Sequence, residues 1–150
     1  MTDNRGSEDT VSAIAGEVRT RREAVRSSMI ALEQAIAAPQ TDDATSWIKR
    51  VHAELDTFRG VWAHHVEATE RPDGLLDRVR HEVPRLSHEH DLLHREHGDI
   101  AAAIEETAAT HDVDAVREAV IALLGKIVRH RSRGANFVYE AYSLDVGSSE

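Results

Sequence analysis

The stretch WIKRVHAELDTFRGVWAHH, residues 47 to 65, decides the fold. Its large apolar residues are Trp47, Val51, Leu55, Phe58 and Trp62, separated by steps of four, four, three and four. Such steps return a side chain to one face of a 3.6-residue helix, whereas a half-buried strand alternates with period two. His65 continues the row three residues after Trp62 and is expected to point inward, while His64 lies about 100° round the helix. An imidazole turned into a core has to be hydrogen-bonded, paired or bound to a metal, because an unsatisfied buried polar group costs roughly 1–3 kcal/mol.

The same period runs outward in both directions. From about Val11 to Ala37 the row is Val18, Val25, Met29, Leu32 and Ile36, closed by Pro39. TDDATS, residues 41 to 46, is a turn in which Asp42, Asp43, Thr45 and Ser46 are candidate helix caps. RPDG at 71 to 74 is a turn by composition, and a short helical passage from Leu75 to Glu82 leads to Pro84. A third long helix is expected from near Pro84 to about Ala109, with the row Leu86, His90, Leu93, His97, Ile100 and Ile104. THDVD at 110 to 114 turns the chain again. The last helix then carries Val116, Val120, Leu123, Ile127, His130, Gly134 and Phe137 toward Tyr142. These rows predict an all-α chain, an antiparallel up-down-up-down four-helix bundle over residues 11–142, with a disordered N-terminus over 1–10 and a flexible tail over 143–150.

Composition narrows the function. With 150 residues, 41% hydrophobic and 30% charged, the chain is long enough for one domain with a core of its own. A formal net charge of −9 argues against a nucleic-acid partner, because the phosphate backbone would repel it. No cysteine is present, so any metal would have to take nitrogen and oxygen ligands. MTDNRGSEDT is polar and acidic, unlike a signal peptide, and no apolar run approaches the roughly 20 residues of a membrane span, so a soluble cytoplasmic protein is expected. No G-x-S-x-G, P-loop or dinucleotide fingerprint occurs, and no catalytic residue is assigned.

His65, His97 and His130 fall in register with the apolar rows of three different helices, which is how a bundle builds a metal site in its core. One inward histidine is ordinarily a hydrogen-bonded core residue; three on separate helices ask for a common explanation. His90, His94 and His97 form H-x3-H-x2-H, a spacing that places two or three imidazoles within reach of one ion, although solvated helices also carry such rows. Glu67 and Glu70 follow His65 closely and are candidate ligands, though most helix-surface glutamates are only solvated. The cluster Arg129, His130, Arg131 and Arg133 could bind phosphate, but reads more simply as a cationic C-terminal half of a helix.

Four helices, a second-helix histidine followed by acidic residues in HHVEATE, an L-x-x-E-H element in Leu93-His94-Arg95-Glu96-His97, and an inward histidine on the last helix together resemble the hemerythrin-like, HHE cation-binding domains. The C-terminal stretch RHRSRGANFVYEAYSLDVG looks like that of a divergent bacterial branch, and the resemblance extends from about Val11 to Tyr142. It implies a non-haem metal site and a role in handling or sensing oxygen, nitric oxide or peroxide.

The family's two irons take five histidines and two carboxylates, and the match here is partial. His65, His97 and His130 correspond to family histidines. The carboxylate expected four residues after His65 is Thr69, with Glu70 one step beyond. The histidine expected four before His97 is Leu93, and the aspartate expected five after His130 is Ala135. No histidine stands on the first helix, where Arg22 lies between Val18 and Val25 and is expected to supply a structural charge in its place. Two readings remain. One is a reduced site with one Fe, or Zn, held by histidines with Glu67 or Glu70, and a diatomic or peroxide ligand. The other is a metal-free interaction module with a buried His/Arg/Glu network.

Overall fold

The computed structural model describes residues 3–40 and 43–147. The described residues form five helices and one 3-10 turn joined by short non-helical links, with no strand among them. Helix α1 spans Asp3–Ala37, α2 Ala44–Glu70, α3 Leu75–Glu82 and α4 Ser87–Ala108. The 3-10 turn Pro84–Leu86 leads into α4, and α5 spans Val113–Gly147. No described helix is long and apolar enough to cross a membrane.

Turn chemistry sets the breaks. Asp43 caps α2, its carboxylate accepting from the Ser46 N–H at 2.6 Å, and Asp112 does the same for the Ala115 N–H at 3.1 Å. Asp42, the neighbouring cap candidate, lies outside the described residues. Between α2 and α3 the chain reverses through Asp73, held at φ 63°, and Gly74, whose N–H donates to the Arg71 carbonyl at 2.9 Å. A Cβ on Gly74 would come within 2.8 Å of that carbonyl oxygen, so only glycine fits there.

Two ends differ from expectation. Helix α1 already starts at Asp3 and α5 runs to Gly147, so the segments 1–10 and 143–150 are helical over 3–10 and 143–147. The remaining residues of those segments lie outside the described ones. Neither segment contains a proline, and a helix anchored by packing adds one hydrogen bond for each further residue it fixes.

Helix α1 packs on α2, α2 on α4, α4 on α5 and α5 back on α1. Most of the interior between them is one apolar cluster, from Val25, Leu32 and Trp47 through Leu55, Phe58 and Trp62 to Ile104, Val120 and Ile127. One end is stapled by Trp47, whose indole N–H donates to the Ala38 carbonyl at 2.9 Å while the Arg117 guanidinium lies over its ring at 4.9 Å. At the other end Leu76, Val79, Leu86, Leu93, Phe137 and Ala141 form a second, smaller cluster. Trp62 from the first cluster and Leu76, Leu93 and Phe137 from the second line one cavity between them. The histidines converge on that cavity.

Candidate metal centre

His65 follows Trp62 on α2, His97 follows Leu93 on α4, and His130 follows Ile127 on α5, each three or four residues after a buried apolar residue. Helical spacing therefore carries all three into the interior. His97 and His130 are buried, and both ring nitrogens of half-buried His65 are shielded from solvent. The ring centroids are 4.9–5.9 Å apart, and one nitrogen from each lies within 4.8 Å of the others. Trp62 forms the wall behind them, its ring 5.0, 5.7 and 5.3 Å from those of His65, His97 and His130. Its indole N–H donates to the His97 carbonyl at 3.3 Å. Three imidazoles so placed could hold a metal ion.

Carboxylates behind two of the rings decide which nitrogens are free. His97 Nδ1 lies 2.7 Å from Glu70 Oε1, and His130 Nδ1 lies 3.0 Å from Glu96 Oε1. A carboxylate can only accept, so each Nδ1 carries the proton and each Nε2 is left with a lone pair. That is the outer arrangement by which metal-binding histidines are fixed in tautomer and orientation. His65 has no such partner: neither of its nitrogens makes a hydrogen bond among the described residues.

Burial keeps the trio neutral. Loss of solvent, with the charge that His97 or His130 would carry if protonated and the guanidinium groups of Arg21 and Arg22, pushes the His65 pKa down to about 3. Burial also lowers His97 against the opposing pull of Glu70, and lowers His130 against that of Glu96. Burial alone would raise Glu70, but hydrogen bonds from His97 and His94 outweigh it and hold the carboxyl below its usual range. All three neutral imidazoles are thus in the protonation state that a metal requires.

A pH dependence follows. The three histidines bind protons near pH 6.5 in the unfolded chain but resist them in the fold, so stability is fully present above about 6.5. It is lost as pH falls from there toward the lowered folded values. In metal-free protein, urea unfolding between about pH 6.5 and 5 should show stability falling with pH, the share of His65 steepening toward about 1.4 kcal/mol per pH unit as the unfolded imidazole becomes fully protonated, with His97 and His130 adding in the same direction. His65→Leu should remove about one proton from that slope. A flat profile from pH 7.5 to 5 would contradict neutral burial.

The other expected site residues are placed differently. His94 is exposed and bonds Glu70 Oε1 at 2.5 Å, on the outer side of that carboxylate. His90 lies apart from the trio, its ring 3.5 Å from the Asp91 carboxylate. Glu70 touches the trio through His97 rather than standing among the three converging nitrogens. Glu67 is exposed, because at roughly 100° per residue it sits about 160° round α2 from the buried row. His64 and His81 face solvent, whereas His52 is half-buried with Nε2 3.0 Å from the Thr110 carbonyl oxygen.

Arg22, expected to face the interior, is exposed and makes no ion pair among the described residues, although it borders the cavity beside the histidines. The inward arginine is its neighbour Arg21, whose side chain is only 10% exposed. The buried row of α1 is Val25, Ser28, Met29 and Leu32. Extended back at roughly 100° per residue, its centre passes about 30° from Arg21 but about 70° from Arg22 on the other side. Glu96 also went unassigned, although its position just before His97 puts it at the flank of the α4 row, within reach of α5. Set against protein-family models, curated proteins and solved structures, the chain matches none of them.

Proposed function

We propose that the chain is a hemerythrin-like, up-down-up-down four-helix bundle in which His65, His97 and His130 hold one divalent metal ion, non-haem iron first and zinc as the alternative. Its role on this reading is to handle or sense oxygen, nitric oxide or peroxide. The supporting observation is the convergence of three neutral imidazoles from three helices, with His65 left without any hydrogen-bond partner.

The residues fit one ion. Three nitrogens bound at about 2.0–2.1 Å in tetrahedral geometry stand about 3.3 Å apart, so the rings need to close by no more than about 1.5 Å from their present reach. They do not fit a bridged pair. Thr69, Leu93 and Ala135, which stand where the resemblance calls for a carboxylate, a histidine and an aspartate, all line the cavity. The Thr69 hydroxyl is spent on its own helix, donating to the His65 carbonyl at 2.9 Å. An ion held by His65, His97 and His130 alone would leave room for a small ligand and would supply Lewis-acid chemistry there. Around it, Glu70 and Glu96 orient two of the rings, and Trp62 closes the site off from the main core.

Arg21 and Arg131 beside the trio favour the metal-free interaction module as a second reading, since buried cations oppose a metal. Loading with ferrous ion under anaerobic conditions, followed by nitric oxide, peroxide or air, separates the two. New visible or near-ultraviolet absorption in wild type, absent from His65→Ala and His130→Ala, is expected. No optical change with any of the three reagents would remove the small-ligand role.

A further inference from the structure

The cavity beside the histidines has a volume of about 140 Å³ and a lining of two unlike kinds. It includes Arg21, Arg22 and Arg131 together with Leu76, Leu93 and Phe137 of the smaller apolar cluster, and no carboxylate is among its lining residues. Arg21 is nine-tenths buried; its Nη1 reaches Glu17 at 3.4 Å, but its Nε–H is buried without a partner. The Nε–H of Arg131 is likewise buried and unpartnered, and its Nη1 rests 3.9 Å from the Met29 sulfur. Arg131 has no ion pair among the described residues, and burial together with Arg22 and Arg26 weakens its hold on its proton. The carboxylates that reach the histidines, Glu70 and Glu96, are bonded to His97 and His130 and are not among the cavity's lining residues.

Arg21, whose only ion pair among the described residues is to half-exposed Glu17, and half-buried Arg131, which has none, each leave a buried Nε–H unmet, which is costly, and their planar forks match a carboxylate. The apolar part of the lining offers nothing to a bare inorganic anion but suits an apolar body. A dry cavity of about 150 Å³ takes a molecule the size of benzene. We propose that this cavity binds a small monocarboxylate with an apolar body, such as an aromatic acid or a short-chain fatty acid, its carboxylate on Arg21 and Arg131 and its body among Leu76, Leu93 and Phe137. The site goes beyond the metal reading and stands without it, since the charge comes from the arginines.

Chelator-stripped protein titrated with benzoate, benzyl alcohol and inorganic phosphate tests this separately from any metal. Benzoate should bind with a Kd of roughly 0.01–1 mM, at least about tenfold tighter than either of the others. Arg131→Gln and Arg21→Gln should each weaken benzoate about tenfold or more while leaving benzyl alcohol unchanged. In wild-type protein, nuclear Overhauser contacts should join the benzoate ring to the Leu76 and Leu93 methyl groups, a readout that does not depend on the variants folding. Benzoate binding no tighter than benzyl alcohol or phosphate, unchanged affinity in a folded Arg131→Gln, or the absence of those methyl contacts would each overturn the proposal.

Discussion

Replacing Trp62 by alanine should destabilise the metal-free protein by about 3–5 kcal/mol, the largest single-residue loss expected. The indole is 2% exposed, stacks on Phe58 at 6.2 Å and backs the rings of all three converging histidines. Removing it opens a void under polar groups instead of under methyls alone, and also takes a donor from the His97 carbonyl. Trp62→Phe keeps most of the packing and should cost less than half as much. Equilibrium urea unfolding at pH 7.5 measures both variants. A Trp62→Ala loss below 1 kcal/mol would mean that the indole does not hold the histidines together.

The second large effect concerns ligand removal. His97→Ala deletes one of three converging nitrogens and leaves Glu70 without its buried partner, so divalent-metal affinity should drop by at least about 100-fold. Glu96→Gln keeps the size of the side chain but weakens the hold on His130, and a loss of about 10–100-fold is expected from such outer partners. Competition against a chelator of known affinity reads both. The order should be wild type, then Glu96→Gln, then His97→Ala, and an Arg22→His variant should gain little, because Arg22 is largely exposed and only borders the cavity.

The helices and the trio were legible because both depend on local spacing. Trp47 through Trp62, and the steps from Trp62, Leu93 and Ile127 to His65, His97 and His130, put side chains on a face whatever the neighbouring helix turns out to be. What stayed hidden depends on contacts between helices. Glu70 and Glu96 acquire their roles only when α2 meets α4 and α4 meets α5, and neither spacing nor composition specifies those meetings. The choice between Arg21 and Arg22 fell to a small rotation of a helix whose apolar row is sparse near residue 20. The cavity was hidden for the same reason: Thr69, Leu93, Gly134 and Ala135 are unremarkable in their own helices and leave space only where the four long helices converge. The N-terminal segment shows the converse limit, since polar composition says little about whether a proline-free extension of a packed helix stays helical.

Calorimetric titration of untagged, chelator-stripped protein with zinc, repeated anaerobically with ferrous ion, tests the central claim most directly. One ion per chain, with proton release near neutrality small because the imidazoles are already neutral, and binding abolished in a His65→Ala/His97→Ala/His130→Ala triple variant, is the predicted result. No binding by wild type, two ions per chain, or equal binding by the triple variant would contradict it.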